Sequence, residues 1–147
     1  MKVKELMTKK PACATPEMEL TKVAKMMKEH NVGAIPVVEN KDSMKVVGVV
    51  TDRDIATRAI AEGKNPLQMK AQEIMSTPVV TVNEDDDIQD VARMMEKNKV
   101  RRIPVVDQQG NIRGMVAQAD IALKGSDQIT ASVVESVSKP GKKSSQQ

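Results

Sequence analysis

The chain of 147 residues contains no phenylalanine, tyrosine or tryptophan. Proteins that bind single-stranded nucleic acid without sequence preference usually stack the bases on aromatic side chains. This chain offers no such platform, so any flat ligand must be held between aliphatic side chains. Its eleven methionines are flexible apolar residues that can fill the core instead of aromatic rings.

Cysteine and histidine occur once each, as Cys13 and His30. A single cysteine excludes an internal disulfide, and one residue of each type is too few for a structural zinc site within the chain. Glycine is sparse, and no Gly-rich phosphate loop of the Walker or dinucleotide-binding type is present. Because no catalytic constellation is evident, we expect a protein that is not an enzyme and requires neither a metal nor a cofactor.

No apolar run approaches the roughly 20 residues that a membrane helix needs, and the first residues lack the apolar stretch of a signal peptide. We therefore expect a cytoplasmic protein with no membrane partner. The net charge of +3 lies mostly beyond residue 123, where four lysines face two acidic residues. Nucleic acid is for that reason not an expected partner. Binding through the basic tail is the alternative, and it predicts steeply salt-dependent affinity.

The same unit is present twice. Residues 3–38 align without gaps to residues 71–106, with 11 identities in 36 positions. The alignment pairs VGAIPVV at 32–38 with VRRIPVV at 100–106, an offset of 68. After a loop two residues shorter, GVVTDRDI at 48–55 returns as GMVAQADI at 114–121. Internal duplication on this scale predicts two equivalent structural units.

Each unit predicts the order β-α-β-β-α after a short helical lead-in, which gives an α+β fold class. Amphipathic helices are expected because apolar residues recur at helical spacing, as in Leu20, Val23, Ala24 and Met27. Alternating strands separated by turn residues predict two hairpins. The predicted helices are 20–30 and 88–98, a further strand is expected at 79–82, and the hairpins pair 34–38 with 45–50 and 103–106 with 112–116.

These patterns divide the chain into two repeats and a tail. Hydrophobic periodicity fades after Lys124, which is typical of disorder. We predict a first repeat at 1–62, a linker at 63–70, a second repeat at 71–124 and a partly disordered tail at 125–147.

The turn from the last strand to the last helix carries polar chemistry in each unit. Thr51 and Asp54 have the three-residue spacing of a capping box, with Asp in place of Glu or Gln. The same pair can instead present a hydroxyl and a carboxylate beside a helix N-terminus that favours anions. In the second repeat Asp120 is kept, but Ala117 replaces the threonine. The residues alone leave both interpretations open.

Two units with an Ile-Pro-Val-Val strand and a strand-to-helix turn ending in aspartate resemble a tandem pair of CBS domains, a Bateman module, over roughly residues 1–124. Small stand-alone bacterial CBS proteins, including hypoxic-response-type proteins, are the most similar. The resemblance implies two repeats about a pseudo-twofold axis, with two clefts that bind AMP, ADP, ATP or S-adenosylmethionine. It also implies a homodimer that regulates a partner protein. A ligand-independent oligomerisation or interaction scaffold is the alternative.

Carried over by position, the resemblance implies ligand contacts in both clefts. An aspartate can accept hydrogen bonds from ribose hydroxyls, and arginine can neutralise a phosphate. Because Ala117 removes a hydroxyl from the second cleft, the first is expected to be the more complete site. The first cleft would comprise Gly48, Thr51, Arg53 and Asp54 with Val80, Lys99 and Val100. The second would comprise Arg101, Arg102 and Asp120 with Asn31 and Val32.

Overall fold

The computed structural model describes residues 1–123, so the predicted tail lies outside the described residues. The helices are α1 (Leu20–His30), α2 (Asp52–Asp54, continued by a π-helical stretch at Ile55–Ile60), α3 (Ile88–Asn98) and α4 (118–123). The strands are β1 (Thr8–Lys9), β2 (Ala34–Val38), β3 (Val46–Thr51), β4 (Val82–Asn83), β5 (Arg102–Val106) and β6 (Ile112–Ala117). Short 3-10 turns lie at Val3–Glu5, Pro66–Gln68 and Ala71–Glu73.

Helices α1 and α3 have the predicted bounds, because their apolar residues recur at helical spacing. In α1 these are Leu20, Val23 and Met27, all buried, whereas Ala24, predicted on the same face, is exposed. In α3 the counterparts are Ile88, Val91 and Met95. The side chain of Asp87 caps α3 by accepting a hydrogen bond from the Gln89 N–H at 2.9 Å.

Both predicted hairpins are confirmed. Strands β2 and β3 pair antiparallel, as do β5 and β6, with Ala34 opposite Thr51 and Arg102 opposite Ala117. The strand expected at 79–82 is shorter: β4 pairs parallel with β5 only through Val82 and Asn83. In the first repeat the counterpart of the β4–β5 pairing is a single parallel bridge between Ala14 and Val37.

The two repeats exchange their lead-in segments, which are residues 3–12 in the first repeat and residues 71–80 in the second. Strand β1 of the first lead-in pairs with β6, so the larger sheet has the order β1-β6-β5-β4. Val3 and Leu6 are buried in the core of the second repeat. Ala71 and Ile74, which lie at the start of the second repeat in sequence, are buried in the core of the first. Each sequence repeat therefore completes the core of the other, and neither contains its whole core.

A third cluster joins the hairpins of the two repeats. It consists of Val38, Val46 and Val106, with Cys13 and Met44 among the partly buried residues around it. Backbone hydrogen bonds from the Val46 N–H to the Gly110 carbonyl (3.1 Å) and from the Ile112 N–H to the Met44 carbonyl (2.9 Å) connect the same region. The repeats are thus held together by apolar contacts, strand pairing and exchanged lead-ins.

Candidate functional site

A cleft of about 550 Å³ lies between the repeats. One wall is the first lead-in at 8–12, a second is the end of α1 with the start of β2 at 30–35, and a third is the end of β6 at 115–117 with Arg102 and Asp120. Small-molecule sites in proteins usually measure roughly 300–1,000 Å³. The cleft is therefore large enough for a ligand of nucleoside size.

The cleft matches the predicted second cleft. Asn31, Val32, Arg102 and Asp120 all line it, so residues far apart in sequence and from both repeats meet there. Arg101 is not among the lining residues. It is exposed, and its carbonyl accepts a hydrogen bond from the Gln118 N–H at 2.7 Å. Contact with a ligand stays a prediction for all five residues.

Asp120 is positioned by the turn between β6 and α4. Its Oδ2 accepts a hydrogen bond from the Ala117 N–H at 3.1 Å, which is one half of a capping box. The turn holds the carboxylate, only partly buried, at the edge of the cleft. A carboxylate in that place can accept hydrogen bonds from sugar hydroxyls.

Asn31 and Val32 are placed by the end of α1. Asn31 ends the helix in the left-handed conformation, with φ of 53°, which asparagine adopts more readily than most residues. The Val32 N–H then donates to the Met27 carbonyl at 3.0 Å. This leaves Val32 40% exposed at the cleft, where its apolar side chain can cover a flat ring.

Arg102 of the second repeat lies beside an acidic residue of the first repeat. Its Nη1 is 3.8 Å from Oδ1 of Asp52, a residue of the first repeat. A Cβ added to Gly33 would lie 2.7 Å from Asp52 Oδ2 and 2.9 Å from Arg102 Nη2. The absence of a side chain at Gly33 thus allows the arginine and the aspartate to meet over the backbone.

The lead-in wall of the cleft contains residues that the sequence did not predict as ligand contacts. Lys9, Lys10 and Ala12 line it, as does His30. The repeat offset of 68 would have identified Ala12, because its counterpart is Val80, which was assigned to the first cleft. No such signal exists for Lys9 and Lys10, since they reach this cleft only through the pairing of β1 with β6.

Thr51 and Asp54 form a complete capping box. The Asp54 N–H donates to Thr51 Oγ1 at 3.0 Å, and the Thr51 N–H donates to Asp54 Oδ2 at 2.9 Å. Asp54 is only 8% exposed, and its Oδ1 lies 3.7 Å from Arg58 Nε. Arg58 in turn donates to the carbonyls of Ile74 and Met75 at 3.2 and 3.3 Å. The carboxylate of Asp54 therefore has structural partners.

Gly48 also has a structural role. A Cβ at this position would lie 2.7 Å from the sulfur of Met75, and one at its counterpart Gly114 would lie 2.6 Å from the sulfur of Met7. Each glycine thus makes room for the lead-in that crosses its strand. The ligand contact expected at Gly48 stays a prediction.

The other residues assigned to the first cleft are not joined to the Thr51–Asp54 box by any hydrogen bond or ion pair within residues 1–123. Val80 and Val100 pack against the second core, while Arg53 and Lys99 are exposed. Their ligand contacts stay predictions. The ranking of the first cleft above the second, expected from the missing hydroxyl at Ala117, stays a prediction.

Cys13 is partly buried in the fold. Burial raises the pKa of the Cys13 thiol to about 11, and its Sγ donates to the Pro11 carbonyl at 3.3 Å. At neutral pH this residue is a thiol and not the reactive thiolate.

Among residues 1–123 no three histidine, cysteine or acidic residues are grouped so that they could hold a metal ion. No helix in this range is long and apolar enough to cross a membrane.

Comparison with known proteins identifies the family. The CBS domain family model matches residues 3–60 and 71–126, so this chain belongs to the CBS-domain family and contains the domain twice. The CBS domain-containing protein YhcV of Bacillus subtilis is 41% identical over 121 residues, which cover 82% of this chain and 83% of that protein. Hypoxic response protein 1 of Mycobacterium tuberculosis is 33% identical over 119 residues, which cover 81% of each chain.

A solved structure supports the same assignment. The CBS domain pair of protein MJ0100, in complex with 5′-methylthioadenosine and S-adenosyl-L-methionine, is similar with a TM-score of 0.78 and 31% identity. The alignment covers 87% of this chain and 98% of that one. The predicted pair of β-α-β-β-α CBS repeats is therefore confirmed.

Proposed function

We propose that this protein is a regulatory module that binds an adenosine-containing ligand in the second cleft and transmits the bound state to a partner protein. The observation that carries this proposal is the convergence of Asn31, Arg102 and Asp120, from both repeats, on one cleft of nucleoside size. The MJ0100 domain pair, solved with two adenosyl ligands, supports the ligand class.

The cleft offers a different chemical group to each part of such a ligand. Asp120 would accept hydrogen bonds from the ribose hydroxyls. Val32 and Ala12 would cover the adenine ring, and Arg102 would neutralise an anionic group on the ribose side. A ligand that contacts both repeats favours the arrangement in which both walls reach it, so its binding energy can shift the relation between the repeats. That shift is the signal that a partner protein would recognise.

Thermal unfolding with AMP, ADP, ATP, S-adenosylmethionine and 5′-methylthioadenosine tests this proposal. A ligand present at a hundredfold excess over its Kd adds about 2.7 kcal/mol to the free energy of unfolding. Calorimetry or far-UV circular dichroism is the readout, because the chain has no tryptophan or tyrosine.

Two matched variants locate the site. Asp120→Asn should abolish the ligand-induced shift, whereas Asp54→Asn should lower the intrinsic stability but keep the shift. The opposite pattern would place the ligand in the first cleft. If no ligand shifts the wild-type transition, the ligand-independent scaffold becomes the better explanation.

We further propose that the module is not an enzyme and that it acts in the cytoplasm as a homodimer. The support is the family to which both repeats belong. Light scattering on the purified full chain tests the dimer, and a monomer at micromolar concentration would contradict it.

A further inference from the structure

Asp52 belongs to the first repeat, but its carboxylate lies beside Arg102 of the second cleft, with 3.8 Å between Oδ1 and Nη1. Asp52 is the first residue of α2 and directly follows Thr51 of the capping box. Its N–H donates to the Gly33 carbonyl at 2.9 Å, and Gly33 itself lines the cleft. The start of α2 is therefore fixed to a wall of the second cleft.

Within residues 1–123 this ion pair has no counterpart in the other half of the duplicated fold. At the repeat offsets the counterpart of Arg102 is Ala34, and the counterpart of Asp52 is Gln118. The equivalent place near the first cleft therefore combines an alanine with a glutamine and carries no charge pair. An Asp–Arg pair at this position is therefore a feature of the second cleft and not of the first.

The side chain of Asp52 is 65% exposed and that of Arg102 is 38% exposed. An ion pair with this exposure is weak, because water screens both charges. A phosphate or carboxylate of a ligand in the cleft can offer the guanidinium two oxygens and a closer contact. It would then displace the Asp52 carboxylate from the guanidinium.

We propose that Asp52 is an internal competitor for the anionic group of the ligand: it holds Arg102 when the cleft is empty and is released when the ligand binds. The inference rests on the proposed function and narrows the ligand to adenosine derivatives that carry an anionic group. Release of Asp52 changes the surroundings of the first turn of α2, where the Thr51–Asp54 box lies. Occupation of the second cleft is thereby transmitted to the first repeat.

Isothermal titration calorimetry of the full chain with AMP, ATP and uncharged 5′-methylthioadenosine tests whether Asp52 competes with the ligand for Arg102. Asp52→Asn should tighten binding of AMP and ATP about twofold to fivefold, the range that corresponds to a partly exposed ion pair. It should leave the affinity for 5′-methylthioadenosine unchanged, because that ligand presents no anion to Arg102. Asp42→Asn, which removes an exposed carboxylate elsewhere on the surface, controls for net charge and should change none of the affinities.

The second arm uses Arg102→Gln. This variant should weaken AMP and ATP selectively, and in the Arg102→Gln/Asp52→Asn double variant the gain from Asp52→Asn should vanish, because the competitor no longer has a target. Equal tightening of all three ligands by Asp52→Asn, or a gain that persists without Arg102, would overturn the inference while leaving the proposed function intact. If the wild-type protein binds none of the ligands, the proposed function fails and this inference fails with it.

Discussion

At the residue scale, the N-cap hydroxyl is present in the first strand-to-helix turn and absent from the second. Thr51 accepts a hydrogen bond from the Asp54 N–H, and Ala117 cannot do the same for Asp120. Replacing an N-cap threonine by alanine usually costs about 1 kcal/mol. We therefore predict that Thr51→Ala lowers the free energy of unfolding by about that amount, and that Ala117→Thr raises it by a similar amount. Urea unfolding followed by far-UV circular dichroism measures both.

Val32→Thr, an exposed substitution outside either turn, serves as the control and should stay within about 0.5 kcal/mol of the wild type. An Ala117→Thr variant that gains nothing would show that the second turn cannot form the full capping box.

The first of these turns shows which side-chain contacts can be predicted from the sequence. The spacing of Thr51 and Asp54 predicted the capping box, because such a box is local in sequence. The role of Arg58 was not predictable. It depends on carbonyl groups of Ile74 and Met75 that a different segment brings to the helix.

At the scale of elements, helices α1 and α3 and both hairpins followed from periodicity, because each is specified by its own residues. The exchange of the lead-ins did not. Val3 and Leu6 are apolar residues in a short segment, and the sequence of that segment does not indicate which of the two cores buries them. The core is determined by the pairing of β1 with the edge of β6. This contact joins residues more than 100 positions apart.

The exchange predicts an unusual pattern for two equivalent substitutions. Leu6 and Ile74 occupy the same position in the two lead-ins, and they are 3% and 1% exposed. Truncating either to alanine should cost about 2–5 kcal/mol. In amide NMR spectra, Leu6→Ala should shift signals of α3 and β6 in the second repeat, and Ile74→Ala should shift those of α1 and β2 in the first.

Lys4→Ala, an exposed change in the same lead-in as Leu6, is the control and should shift signals only around Lys4 and its partner Asp85. Signals that move within the same sequence repeat as Leu6, rather than in the other, would be inconsistent with exchanged lead-ins.

For the whole molecule, the sequence presents two repeats, whereas the structure has two cores that cannot be completed separately. Val23 and Val91 are fully buried counterparts in the first and second core. Because each core contains a lead-in from the other repeat, loss of one core removes part of the other. We predict that the full chain unfolds in a single cooperative transition, and that Val23→Ala and Val91→Ala each lower the free energy of unfolding by roughly 2 kcal/mol.

Cys13 provides an independent probe of that transition, because it lies beside the cluster that joins the hairpins. Burial raises its pKa from 9.0 to about 11, so at pH 8 the folded thiol is ionised about a hundredfold less than the unfolded one. The raised pKa stabilises the fold below pH 9, and this stabilisation is lost as the pH rises from 9.0 to about 11. Alkylation of Cys13 at pH 8 should therefore begin at the same urea concentration as the loss of helical signal. Two separate transitions, or alkylation well before helix loss, would mean that the repeats unfold independently and that the exchanged lead-ins do not couple them.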